Sequence, residues 1–186
     1  MVAAMKRDLS DQHPIRIFFR DAVHHSLSNR LGLRGIEDVE IYLAEMLAKF
    51  LHDEEIFSIR DSKGRRVRSL PEMLAEGDVR LNADSFERER QVHQHIGDFL
   101  LFWSGLFPEF LESVGASAKD GLIDAIRQGQ HSYYVVSSFD YAPFDMEAPT
   151  FKKLSEQFES CREGLSLMRA SFEGFRLQGW KNGFEA

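Results

Sequence analysis

Residues 91–110, QVHQHIGDFLLFWSGLFPEF, constrain the fold more than any other stretch of this chain. Placed on a helix at about 100° per residue, Val92, Ile96, Phe99, Trp103 and Leu106 fall on one arc, and Leu100 and Phe107 widen it. An arc that broad faces a core from more than one side. Asn82, Asp84 and Ser85 are candidate N-caps, and Glu87 and Glu89 place carboxylates where the helix dipole favours them. The spacing predicts a helix over 85–107. Pro108 ends it, or restarts it after a kink, because proline lacks an N–H and disfavours helical geometry at Phe107. The apolar run 99–107 is too short for a membrane span, which needs roughly 20 residues.

The same helix carries polar groups beside its apolar arc. His95 and Asp98 are three apart, close enough for their side chains to meet. This reads first as a core histidine held by a carboxylate, and second as a metal or acid–base site. His93 points elsewhere. Asp21, with His24 and His25 three and four residues on, forms a second set on the first helix. Local pairing on a helix surface explains it. Only if that flank meets the His95/Asp98 flank do Asp21, His25, His95 and Asp98 become a metal site.

A chain of 186 residues, 43% apolar and 28% charged, fits one soluble domain over 1–186. Its net charge of -7 argues against nucleic-acid binding, which needs a basic face. Sixteen Phe call for a large aromatic core or an apolar pocket. The single cysteine, Cys161, has no internal disulfide partner. Without a signal peptide or membrane run, the expected location is the cytoplasm, with no membrane contact.

Along the chain, residues 1–12 read as a polar arm. A first helix opens near Pro14, with Ile15, Phe18, Phe19, Ala22 and Ser26 inward, and ends between Ser28 and Gly35. A second covers 36–52 through Val39, Leu43, Met46, Leu47 and Phe50, leaving Tyr42 and Glu45 off the stripe as surface. Residues 56–70 hold a turn signal at 61–64 and a basic cluster of Arg60, Lys63, Arg65, Arg66 and Arg68. A small β-hairpin and a plain loop both fit, and the cluster reads as a solvated loop or an anion site. A short helical turn follows at 71–76. A helix over 118–141 has its seam at Leu122, Ile126, Gly129, Tyr133 and Val136. Gly129 there costs about 1 kcal/mol against Ala and implies close helix approach or room for a ligand. Residues 140–149 form a turn broken by Pro143 and Pro149. One last helix carries Phe151, Leu154, Phe158, Cys161, Leu165, Met168 and Phe172, a stripe suited to a core or a dimer seam. Residues 175–186 form a tail whose Phe175, Leu177, Trp180 and Phe184 are placed to fold back or meet a second chain.

Gly97-Asp98-Phe99-Leu100-Leu101-Phe102-Trp103-Ser104-Gly105-Leu106-Phe107-Pro108-Glu109 resembles a Gly-Asp-x-x-Leu-Phe-x-x-Gly-x-Phe-Pro-Glu core in a group of uncharacterised bacterial all-α proteins. Gly129-Gln130-His131-Ser132-Tyr133 is similar to their Gly-x-x-Ser/Ala-Tyr step. The resemblance covers about a quarter of the chain and implies a helical fold, with no activity attached.

No stronger chemical signature is present. There is no Glu-x-x-His for a di-iron bundle, only Asp21-x-x-His24 and the reversed His95-x-x-Asp98. His-Glu-x-x-His, Cys-x-x-Cys, a P-loop and a Gly-x-Ser-x-Gly elbow are all missing. A haem would draw on His25, His95 or His131. The expectation is an all-α bundle of five to six helices, without a cofactor, acting through protein contacts or as a homodimer. The alternatives are a metal- or haem-dependent enzyme built on His25, His95, Asp21 and Asp98, and a small-molecule binder with an aromatic pocket at Trp103, Tyr133 and Gly129.

Overall fold

The computed structural model describes residues 13–114 and 121–172; the expected arm, the tail and its four apolar residues lie outside them. Within the described residues the chain is all-α, with eight α-helices. They are α1 (Pro14–His24), α2 (Glu37–Lys49), α3 (Asp53–Ile56), α4 (Leu70–Gly77), α5 (Phe86–Leu106), α6 (Gly121–Ser137), α7 (Ala148–Glu156) and α8 (Phe158–Phe172). The excess over the expected five to six comes from the single turn α3, the short α4 and a division of the last helix. Buried apolar side chains from all eight form one cluster.

The start of α1 follows its sequence. Pro14 lies in the first turn, and the His13 ring accepts from the Ile15 N–H. The helix widens into a π-helical segment, His25–Arg30, which buries Ser26, Leu27 and Ser28 in succession. Gly164 of α8 abuts that turn: a Cβ there would lie 2.2 Å from Leu27 Cδ2. Ser28 and His24 then satisfy the buried Glu40 of α2.

Between α3 and α4 the hairpin-or-loop choice resolves into a loop with one antiparallel bridge, Arg60 to Arg66. Asp61 Oδ1 accepts from the backbone of Lys63 and of Arg65, at 2.9 Å each, and Gly64 takes a φ of 76°. Ile59 and Val67 are the buried residues that anchor it.

Ser85 caps α5 by accepting from the Arg88 N–H at 3.1 Å, as its position predicts. Every residue from His95 to Leu106 is buried, so this part of the helix is enclosed all round and not merely along an arc. It packs on α4, α6 and α8, whereas α1 packs chiefly on α2 and α8. Two glycines permit the close approach. A Cβ on Gly97 would lie 2.6 Å from Tyr133 Cε1, and one on Gly105 2.8 Å from Leu165 Cβ.

The expected seam of α6 shifts at its start: Ala125 is buried and Leu122 is exposed. Pro149 opens α7 instead of breaking the chain. The predicted single last helix is interrupted at Gln157 (φ -110°, ψ 21°), although Phe151, Leu154, Phe158, Cys161, Leu165 and Met168 are all buried as its stripe requires. The interruption lets α7 lie along α6 while α8 turns onto α5. No described helix is long and apolar enough to cross a membrane.

Candidate functional site

Polar groups gather where α2, α5 and α6 meet. The space left at Gly97 admits the Tyr133 ring, whose hydroxyl donates to Asp98 Oδ1 at 2.8 Å. From α2 the Tyr42 hydroxyl donates to the same oxygen at 2.6 Å. Tyr42 also accepts from Gln94 Nε2 at 3.1 Å. Gln94 Oε1 in turn faces Arg90 at 3.4 Å. Arg90 is buried, lies 4.2 Å from the Phe144 ring centroid and pairs with Glu147. The chain of donors runs inward and ends on one carboxyl group.

Asp98 is only 6% exposed. Burial pushes its pKa up; the two tyrosine hydroxyls and Lys49 pull it back, and the balance falls at about 6. Burial and the neighbouring carboxylate hold both phenols well above their usual range. A carboxyl group exchanging its proton near neutrality can accept a proton, donate one, or hold a cation.

His95 does not pair with Asp98, contrary to expectation. Its Nε2 lies 2.9 Å from the Ile56 carbonyl oxygen, which can only accept, so Nε2 carries the proton. Nδ1 then accepts from Ser58 Oγ at 3.2 Å. Burial, with Lys49 and Arg88 nearby, lowers its pKa to about 4 against the opposing carbonyl of Ile56. The ring is a neutral wall with both nitrogens engaged.

In front of these groups lies a cavity of about 270 Å³ lined by Lys49, Ser58, Ile59, Arg88, Gln91, Gln94, His95 and Asp98. Lys49 is half-exposed and Arg88 less so. The cavity thus has a carboxyl floor, a neutral imidazole wall and two cations among its lining residues.

The structure does not bring the four expected metal ligands together. Asp21 and His25 are exposed, and among the described residues neither bonds to His95 or Asp98. No group of three or more His, Cys, Asp and Glu there could hold a metal ion. Nor do Trp103, Tyr133 and Gly129 enclose a common space. Phe158 fills the room at Gly129, where a Cβ would lie 2.3 Å from Phe158 Cζ. Trp103 packs among Phe99, Phe102, Phe107 and Phe110 at centroid distances of 5.4–6.1 Å. Only Tyr133 reaches the polar cluster.

His131 is exposed and meets His93 edge-on at 6.2 Å. His93 faces Ser132 Oγ at 3.2 Å, and burial with His131 nearby lowers its pKa to about 4. Burial pushes the Cys161 thiol up to about 12, the behaviour of an inert core residue. In the basic loop Arg65 pairs with Asp61, Arg66 with Asp53 and Glu54, and Arg68 lies over Phe57.

Sequence reasoning found Asp98 and Tyr133 but left Tyr42 on the surface and overlooked Lys49, Ser58 and Gln94. The signal for Tyr42 was weak: an aromatic with a polar tip one step off an apolar stripe. Its partner is 56 residues away.

The chain matches no protein-family model, no curated protein and no solved structure.

Proposed function

We propose that this chain is a helical protein that binds a small polar molecule in the cavity over Asp98. The observation that supports this reading most is a buried carboxyl group lining an open space. Asp98 Oδ1 takes both tyrosine hydroxyls, whereas among the described residues Oδ2 takes no hydrogen bond. Asp98 is itself one of the residues that line the cavity. A core carboxylate needed only for packing has its acceptor sites satisfied by protein. At about 270 Å³ the cavity lies near the lower limit of the ~300–1,000 Å³ common for ligand sites, so the molecule is small. This keeps the small-molecule alternative and relocates it from the aromatic residues to the polar ones. The bacterial proteins resembled by residues 97–109 and 129–133 would share the site, because Gly97 and Asp98 lie against Tyr133.

The test is a thermal-shift screen of the protein against a library of small polar compounds, followed by NMR saturation transfer on the hits. Gln91 is an exposed residue of the cavity lining, so Gln91→Trp tests the cavity while leaving Asp98 in place. Hits abolished by Gln91→Trp are the expected result. Hits indifferent to it, or none at all, would overturn the reading.

A second reading, self-association, rests on Ile17 and Phe18 of α1 and Ile41 of α2, which are about half-exposed on helices that pack together. Light scattering from 1 to 100 µM (on the order of usual homodimer affinities) tests it. A mass that doubles with concentration, and stays monomeric in Phe18→Lys, supports it; a constant monomer mass sinks it. The single buried thiol and the absence of a membrane-crossing helix among the described residues accord with a cytoplasmic location.

A further inference from the structure

The cavity's polarity runs in one direction. Among its lining residues is Asp98, more than nine-tenths buried, whose Oδ1 takes both tyrosine hydroxyls and whose Oδ2 takes no hydrogen bond among the described residues. His95 cannot serve a ligand with either nitrogen, since Ile56 and Ser58 engage both. The Gln94 amide is already committed to Tyr42 and Arg90. The strong donors left are Lys49 and Arg88. Lys49 lies 3.5 Å from Glu55 at a half-exposed position and retains further N–H groups. Arg88 spends one guanidinium N–H on the Arg60 carbonyl oxygen at 2.8 Å and approaches Glu76 only at 3.9 Å.

A simple anion would meet Lys49 and Arg88 but leave Oδ2 without a donor, and at neutral pH would be repelled by it. A simple amine would satisfy Oδ2 and leave the cations unanswered. A short molecule with an ammonium at one end and a carboxylate at the other meets both demands. Resting on the small-molecule reading of this cavity, we infer that its ligand is a zwitterion of the amino-acid class, with the ammonium on Asp98 Oδ2 and the carboxylate at Lys49 and Arg88.

The experiment is isothermal titration of the full chain at pH 7.5 with each of the twenty L-amino acids, and with propylamine and propionate as the two halves. At least one amino acid should bind, with each half weaker by about 10-fold or more, because each half leaves one charged partner unmatched. Lys49→Met should weaken that amino acid by about 10-fold. Asp98→Asn, which keeps an acceptor for both tyrosines, should weaken it by at least as much. Lys49 is half-exposed, so its replacement keeps the test decisive if Asp98→Asn does not fold.

Propionate binding as tightly as the amino acid would overturn the inference, as would an amino acid indifferent to Lys49→Met. If no amino acid binds while other small polar compounds bind in a manner that Gln91→Trp abolishes, the zwitterion assignment fails and the small-molecule reading stands. If nothing binds in either experiment, both fail.

Discussion

Asp98 holds its proton more firmly in the fold than in the unfolded chain, and two histidines do the reverse. With a folded pKa of about 6 against an ordinary 3.8, ionised Asp98 costs about 3 kcal/mol at neutral pH, relieved as pH falls from 6 toward 4. His93 and His95, each lowered to about 4 from 6.5, stay neutral in the fold while their unfolded counterparts protonate. Their contribution is therefore present above pH 6.5 and lost as pH falls toward 4. Two losses outweigh one gain. Urea unfolding should show lower stability at pH 4.5 than at pH 7, and His95→Gln should shrink the difference. Asp98→Asn removes the opposing gain, so its stability should fall more steeply with acid than the wild type's; a shallower fall would contradict the assigned pKa directions. At this scale the sequence was partly legible. Ser85 as cap and Cys161 as core follow from position and pattern. The Tyr42–Asp98 bond does not, because it joins two helices whose relative rotation no spacing records.

Among the helices, glycine decides the contacts that matter to the site. In an isolated helix Gly→Ala gains about 1 kcal/mol. At Gly97 and Gly129 the sign should reverse, since a new Cβ would stand 2.6 Å from Tyr133 and 2.3 Å from Phe158, both in aromatic rings within a packed core. Each Ala variant should be destabilised by about 1–3 kcal/mol in urea melts. Gly97→Ala should also displace Tyr133 from Asp98, which a hydroxyl-sensitive Tyr resonance would report. Neutral or stabilising substitutions would show that the helices stand further apart. The periodicity of α5 was readable over its whole length, because apolar side chains at helical spacing leave no other regular choice. The interruption at Gln157 was not, since the stripe from Phe151 to Met168 keeps the same spacing on both sides of it.

Across the whole molecule, α5 is the axis and the site is a consequence of enclosing it. A helix buried over most of its length must bury polar residues too, and Arg90, His93, His95 and Asp98 are each provided with partners from other elements. The all-α class was legible from composition and spacing. The order of helices around α5 was not, because α1 and α6 offer similar apolar stripes and only the packed core selects between them. Asp98 is where that enclosure leaves a buried carboxyl group lining a cavity, so its titration tests the account most directly. A carbon-13 NMR titration of the Asp98 carboxyl in the unliganded protein should give a midpoint near 6. A midpoint near the ordinary 3.8 would mean a hydrated surface carboxylate and would contradict the buried site.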